Sequence, residues 1–201
     1  LDGEIGEECL RLDQKFMSRL VNGRPYITLK WAQSYDGFMS KSDGSPFRFS
    51  TPLTSTLVHK LRSEHDAILT TSSTVMADNP RLDCRLWSAG RSPVKIIVDR
   101  NRRVKPDALV FSGAETVVTQ DDLHEIIESA GRRGLNSILV EAGPTFLKAM
   151  IKAGLWDSIR VEISPVTLGE SGGNRAPELP CLPQLTEIID GNTIAYFKQN
   201  N

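Results

Sequence analysis

Ala67-Ile68-Leu69-Thr70-Thr71-Ser72-Ser73-Thr74-Val75-Met76-Ala77-Asp78-Asn79-Pro80 is the stretch on which the fold turns. It opens on an evenly apolar run too short for a surface helix, which predicts a buried strand over 67–71. Hydroxyls follow, then a short helix over Thr74–Ala77 that Asn79-Pro80 stops, since a proline pushes the residue before it out of helical conformation. Upstream, Thr51 precedes Pro52 as an N-cap with proline at the first helical position. Leu53, Leu57, Val58 and Leu61 continue that pattern as a helix over 52–64. Downstream, Val94–Val98 and Ser137–Glu141 read as buried strands, and Leu123–Ala130 and Pro144–Ala153 as helices.

The rest of the chain fits around this core. Pro25–Trp31 is a β-rich run, and the polar, Gly-punctuated stretch Ser34–Ser50 reads as loop. Ala108–Phe111 and Thr116–Thr119 are expected as short strands. Ile159–Ile163 and Thr193–Lys198 complete the strand set; no helix separates these two, so they are placed antiparallel at the end of the sheet. Near the start, Ile5, Cys9, Leu12, Phe16 and Leu20 share one face of a helix over 4–21, which Asn22-Gly23 ends. Strands alternating with helices predict an α/β fold with a mostly parallel central sheet and helices on both faces.

Composition narrows the function classes. Lys plus Arg is 24 and Asp plus Glu is 25, a net charge of −1, which argues against a strongly basic nucleic-acid surface. Hydrophobic residues at 39% and charged residues at 24% support a packed core in 201 residues. Three scattered cysteines, Cys9, Cys84 and Cys181, form no disulfide framework and point to a reducing, cytoplasmic setting. The three histidines show no metal spacing, so no metal is expected. No apolar run approaches the ~20 residues of a membrane span. The start shows neither a signal peptide nor an initiator Met, as expected of a processed chain or a piece of a longer one.

In an open α/β sheet, ligands bind beyond the carboxyl ends of the strands. Four places there carry polar chemistry. Lys30 ends an apolar strand, where it either snorkels to the surface or serves a site. The hydroxyl run Thr70–Thr74 leads to Asp78. Glu141-Ala142-Gly143-Pro144-Thr145 is a strand ending in a carboxylate, a glycine that lets a ligand approach the backbone, and a proline that starts a helix. Arg62, Arg85, Arg100, Arg102 and Arg103 are suited to phosphate, if the fold brings them together.

Three motifs in order make the chain recognisable. Arg24-Pro25-Tyr26-Ile27-Thr28-Leu29-Lys30-Trp31-Ala32-Gln33-Ser34-Tyr35-Asp36-Gly37, the stretch from Ala67 to Arg85, and Val140-Glu141-Ala142-Gly143-Pro144-Thr145 closely resemble the reductase domain of riboflavin biosynthesis. The resemblance runs from about residue 8 to about residue 170. It implies a dihydrofolate-reductase-like fold and NADPH-dependent reduction of 5-amino-6-(5-phosphoribosylamino)uracil to the ribitylamino compound. By the same resemblance, Ala32, Thr74 and Asp78 contact NADPH, and Gly143, Pro144 and Thr145 open the turn that approaches its phosphates. Arg62, Leu82, Arg85 and Glu141 match substrate-binding positions, and Lys30 lies beside the ribose.

Opening the ribose ring needs a proton, and either Lys30 or Glu141 can shuttle it if burial tunes its pKa. Arg62 and Arg85 are expected to converge on the 5′-phosphate. One of Arg100, Arg102 or Arg103 is the candidate partner of the adenosine 2′-phosphate, the other reading being a solvated basic loop. Cys84, between Leu82 and Arg85, is expected beside the pocket as an unactivated thiol, or else as a small buried hydrophobe facing away.

Glu8–Phe16 is similar to the connector that follows a deaminase domain in the bifunctional enzyme. This divides the chain into a connector over 1–23 and a reductase domain over 24–201. It implies a covalently attached deaminase upstream, and a homodimer. No H-x-E or P-C-x-x-C signature occurs, so deamination is not expected of this chain. One departure stands out: Pro46-Phe47-Arg48 lies where many members carry Ser-x-Trp, although Arg48 retains a charge that can reach a phosphate. The alternatives are another dihydrofolate-reductase-like enzyme for a pteridine or pyrimidine, against which the arginines and Glu141–Pro144 speak, and a non-catalytic nucleotide-binding module, against which Lys30, Asp78 and Glu141 speak.

Overall fold

A computed structural model describes residues 15, 18, 19, 22–45, 47–88 and 91–199. Its centre is one eight-stranded sheet. In chain order the strands are β1 (Tyr26–Gln33), β2 (Ala67–Thr71), β3 (Val94–Val98), β4 (Thr116–Thr119), β5 (Ser137–Val140), β6 (Ser158–Ile163), β7 (Leu185–Ile189) and β8 (Asn192–Lys198). Across the sheet they run β4-β3-β2-β5-β1-β6-β8-β7. The first six in that order are mutually parallel, whereas β8 is antiparallel to both β6 and β7.

Four helices connect the strands: α1 (Pro52–Ser63), α2 (Ser72–Asp78), α3 (Leu123–Arg132) and α4 (Pro144–Lys152). Thr51 caps α1 with a reciprocal capping box, and Asp122 caps α3 by accepting from the N–H groups of His124 and Glu125. Because strand side chains alternate, each strand feeds two cores. Ile27, Leu29, Trp31, Ile138, Val140, Ile159 and Val161 pack with α3 and α4 on one face. Ile68, Ile97 and Leu139 pack with Val75 of α2 and Leu61 of α1 on the other. Helices thus cover both faces.

Two elements differ from the sequence reading. Ala108–Phe111 is not a strand: Leu109–Phe111 forms a 3₁₀ turn. The cause is Lys95, fully buried in β3, whose ammonium donates to the carbonyls of Val110 (2.8 Å) and Ser112 (2.6 Å) and gathers the chain around it. Strand β7 was not expected at all. Asp190 (φ 50°) and Gly191 (φ 82°) form the tight turn that pairs it with β8, and an Asp-Gly pair between apolar runs is the signal that reveals such a hairpin. The helix expected over 4–21 lies mostly outside the described residues; Lys15, Ser18, Arg19 and Asn22 carry helical backbone.

Candidate active site

Two neighbouring regions at the carboxyl end of the parallel strands carry the polar groups. The first is an open cleft of about 620 Å³ between the ends of β2, β3 and β5. Its walls include Thr71–Thr74, Asp78, Arg100, Arg103 and Gly143–Thr145, roofed by Met39, Ser40 and Phe47 from the 34–50 loop. Gly143 is the N-cap of α4 and supplies no side-chain cap, so the positive end of that helix opens on the cleft. A Cβ added at Gly143 would meet nothing within 4 Å. Arg103 reaches across from the β3 turn and donates to the hydroxyls of Ser72 (3.2 Å) and Ser73 (3.1 Å). Buried Asp99 holds that turn by accepting from the N–H groups of Arg103 and Val104.

The second region is a polar seam on the face covered by α1. Residues two apart in a strand share a face, so Thr28, Lys30 and Ala32 of β1 stand beside Ser158, Arg160 and Glu162 of β6, their register partners. Glu141, one residue beyond β5, completes the row; its backbone is pinned by Leu69 and by the Thr70 hydroxyl. Arg62, in the last turn of α1, forms a two-point fork on the Glu141 carboxylate (2.8 and 2.9 Å) and donates a third bond to the Asp83 carbonyl. Glu162 is fully buried and accepts from Ser50 (2.9 Å) and Asn192 (2.7 Å).

Charge sets the chemistry of the seam. Burial alone would raise the Glu141 pKa, but the Arg62 guanidinium and the Lys30 ammonium outweigh it and hold the carboxyl down at about 2. Lys30 sits below the usual lysine value. Withdrawal from water is the main cause, reinforced by Arg160 and Arg62 and opposed by Glu141 and Glu162. A lysine so placed beside an ionised carboxylate is poised for proton transfer. His65, buried behind the seam between the Leu61 carbonyl and the Thr28 hydroxyl, is pushed by burial to about 4 and stays neutral near pH 7.

The expected site residues divide between these regions. Thr74, Asp78, Arg100, Gly143, Pro144 and Thr145 all line the cleft. Ala32 does not; it sits at the seam end of β1. Of the three basic candidates for a 2′-phosphate, Arg100 and Arg103 face the cleft and Arg102 does not. Lys30, Arg62 and Glu141 meet in the seam. Arg85 reaches the same Asp83 that Arg62 touches, but through the carboxylate, and is half exposed. The Arg62 fork is therefore closed on Glu141, while Arg85 is the more open of the two.

Leu82 buries its side chain in the α1-face core and has a left-handed backbone (φ 51°), so only its main chain is free to meet a ligand. Cys84 is 3% exposed, its thiol donates to the Arg91 carbonyl, and the charges of Arg62 and Glu141 in the seam reach it. Burial raises its pKa. Arg48 is exposed and outside the cleft wall, which Phe47 lines instead; Pro46 lies outside the described residues.

The sequence reading missed Arg160 and Glu162. Their signal was charged residues at alternate positions of Ile159-Arg160-Val161-Glu162-Ile163, a strand with both faces buried. Among the described residues there is no cluster of His, Cys, Asp and Glu able to hold a metal ion, and no helix long and apolar enough to cross a membrane.

Residues 25–190 match the family of RibD C-terminal domains. This chain belongs to that family. It is 33% identical to the riboflavin biosynthesis protein RibD of Escherichia coli strain K12, over 94% of this chain and 60% of that protein. It is 25% identical to the 2,5-diamino-6-ribosylamino-4(3H)-pyrimidinone 5′-phosphate reductase of Debaryomyces hansenii, over 82% of this chain and 84% of that protein. The chain thus spans about three fifths of the bacterial relative.

Among solved structures, the deaminase/5-amino-6-(5-phosphoribosylamino)uracil reductase of Thermotoga maritima superposes with a TM-score of 0.82 at 23% identity, over 96% of this chain and 62% of that one. Dihydrofolate reductase of Enterococcus faecalis superposes with a TM-score of 0.56 at 12% identity, over 88% and 97%. The fold of this RibD C-terminal domain is dihydrofolate-reductase-like.

Proposed function

We propose that this chain is the NADPH-dependent reductase unit of riboflavin biosynthesis, converting 5-amino-6-(5-phosphoribosylamino)uracil to its ribitylamino product. The observation that carries this reading is the adjacency of the two regions: a cleft with an uncapped helix end, hydroxyls and two arginines, beside a partly buried carboxylate–lysine–arginine row. The cleft residues fit a nicotinamide dinucleotide. The open end of α4 and the bare Gly143 backbone suit its pyrophosphate, and Arg103, with Ser72 and Ser73, suits the 2′-phosphate that marks NADPH.

When bound, the nicotinamide supplies a hydride to the sugar C1′. The chain's own residues do the rest. Arg85 holds the 5′-phosphate together with the Leu82–Asp83 backbone. Arg62 keeps Glu141 ionised and aimed, and Glu141 in turn favours the charged form of Lys30. Lys30 then donates the proton to the ribose ring oxygen as the ring opens. The sequence reading left Lys30 and Glu141 as equal candidates for this proton. A carboxyl held at about 2 carries no proton near pH 7, which favours Lys30.

The relationship to bacterial RibD proteins supports a deaminase domain joined upstream, with residues 1–23 as connector, and a cytoplasmic homodimer is the assembly proposed with it. The experiment is loss of NADPH absorbance on adding the aminouracil substrate. Steady oxidation that requires the substrate supports the reading; none with a folded, NADPH-binding chain overturns it.

A further inference from the structure

Gly172 and Gly173 have no conformational reason to be glycine. Neither backbone is left-handed, and Gly172 is ordinary extended chain (φ −73°). Their reason is space. A Cβ on Gly173 would collide with the Lys41 carbonyl group, 2.6 Å from its carbon, and crowd the Ser40 hydroxyl at 2.9 Å. One on Gly172 would stand 2.5 Å from the Phe38 ring, whose face also carries the Arg175 guanidinium, 4.4 Å from the centroid. Each glycine therefore admits part of the 34–50 loop closer than a residue with a side chain would.

Two distant segments meet there. Residues 37–42 and 171–176 run antiparallel as a ribbon outside the eight-stranded sheet. The backbone N–H groups of Met39, Ser42, Gly173 and Ala176 donate across it to the carbonyls of Asn174 (2.8 Å), Ser171 (2.8 Å), Ser40 (2.9 Å) and Gly37 (2.9 Å). The Asn174 N–H and side-chain amide both donate to the Ser40 hydroxyl. At the root of the ribbon, the Asp36 carboxylate accepts from the N–H groups of Leu168 and Gly169. Met39, Ser40 and Asn174 line the cleft, whereas Phe38, Lys41, Gly172 and Gly173 do not. Phe38 also belongs to neither of the two cores. The height of the cleft roof is thus set from behind, by the chain that follows β6.

We infer that Gly172 and Gly173 are positioning residues of the reductase, holding the roof of the cofactor cleft at its height through Met39 and Ser40. This rests on the reductase reading above. Reaction between two bound molecules needs them held in near-attack geometry, and a displacement of about 1 Å far from the chemistry can cost about 10²-fold in rate. A methyl group on Gly173 would meet backbone, which cannot rotate away, so the roof must retreat. A methyl group on Gly172 would meet a side chain, so its effect should be smaller and should yield to a smaller neighbour.

The test uses the folded chain as wild type, Gly173→Ala, Gly172→Ala and the double variant Gly172→Ala with Phe38→Leu. The readouts are Kd for NADPH from its fluorescence, steady-state kinetics with the aminouracil, and the rate of tryptic cleavage after Lys41 mapped by mass spectrometry. Gly173→Ala should raise Kd for NADPH about tenfold, lower kcat about 10²-fold and leave KM for the aminouracil within about threefold. Cleavage after Lys41 should quicken about tenfold as the ribbon opens locally. The melting temperature should hold within about 3 °C, because the ribbon lies outside both cores. Gly172→Ala should show the same pattern at smaller size, and Phe38→Leu should restore most of its NADPH affinity. A role confined to stability would move the melting temperature and give no such rescue.

If Gly173→Ala fails to fold, Gly172→Ala and the double variant carry the test. Unchanged Kd and kcat in the glycine variants, cleavage after Lys41 at the wild-type rate, or a double variant no better than Gly172→Ala would overturn the inference while leaving the reductase reading standing. Unfolding of both single variants would also overturn it, since the glycines would then serve the fold. A wild type that binds NADPH but does not reduce the aminouracil overturns both.

Discussion

In the cleft, the groups offered to a ligand come from neighbours in sequence: Thr71 to Thr74 from one strand–helix junction and Gly143 to Thr145 from another. In the seam, partners are far apart in the chain: Arg62 and Glu141 by 79 residues, Ser50 and Glu162 by 112. The cleft is open and works through backbone, hydroxyls and the exposed ends of Arg100 and Arg103, so it tolerates change in the folded state and shows its losses only when a ligand arrives. The seam is buried and works through charge, so each of its members supports both the fold and the chemistry. A substitution in one region should separate stability from function; a substitution in the other should join them.

The sharpest break of that contrast is Glu141→Gln. It leaves Arg62 facing a neutral group and removes the anion beside Lys30. Turnover is expected to fall about 10²–10³-fold, and stability to urea by about 3 kcal/mol, the cost of unpairing a buried ion. NADPH affinity should stay within about twofold. A parallel loss of NADPH affinity would show that the two regions are not separable.

Acid titration probes the seam without mutation. The Glu141 carboxyl lies at about 2 in the folded state, against an ordinary value of 4.5, so the unfolded chain takes up the proton first. Its contribution to stability is complete above pH 4.5 and is lost as pH falls toward 2, amounting to about 3 kcal/mol. His65 lies at about 4 against 6.5. Here too the unfolded chain protonates first, so stability falls between pH 6.5 and 4 and levels off below. Urea midpoints across pH 2–7 should show both windows, and Glu141→Gln should shrink the lower one, to which Asp36, also held at about 2, contributes as well.

Arg85→Ala should weaken substrate binding by roughly 2 kcal/mol, the low end for a charge-assisted contact, with little change in stability because its ion pair is half exposed. Arg62→Ala should cost both binding and stability, since it strands Glu141. Equal behaviour of the two variants in isothermal titration and urea melts would contradict the closed fork seen at Arg62.

Gly143→Ala should behave in the opposite way to the seam variants. Its Cβ meets only open cleft, so the melting temperature should hold within about 2 °C, while Kd for NADPH rises about tenfold as the methyl group meets the pyrophosphate. Unchanged NADPH affinity would remove α4 from the cofactor site. The smallest effect is at Cys84. Its buried thiol, raised in pKa, should be alkylated by iodoacetamide more slowly than the half-exposed Cys181, as mapped by mass spectrometry. Faster labelling at Cys84 would place it on an open surface.

How much of this was legible depended on how far apart the partners lie. The junction from Ala67 to Pro80 could be read whole, because a strand, a cap and a stop signal are local. Gly143 stood out for the same reason, and so in retrospect does the Asp190-Gly191 turn that announces β7. The 3₁₀ turn at Leu109–Phe111 could not be read locally, because Lys95 lies 15 residues upstream of the Val110 carbonyl it captures. Nor could the Arg62 fork, whose partner is chosen by the stacking of α1 against β5.

The amino-acid sequence by itself determined the alternation of strands and helices, the places where strands end in ligand-ready turns, and the family to which those turns belong. Tertiary structure alone decided which of those ends converge. Strand order put β1 between β5 and β6, and register set Lys30 beside Arg160 and Ala32 beside Glu162. The physical reason is range. Caps, turns and strand alternation are set by bonds within a few residues, whereas burial and ion pairing act between groups that are adjacent only once the sheet has formed.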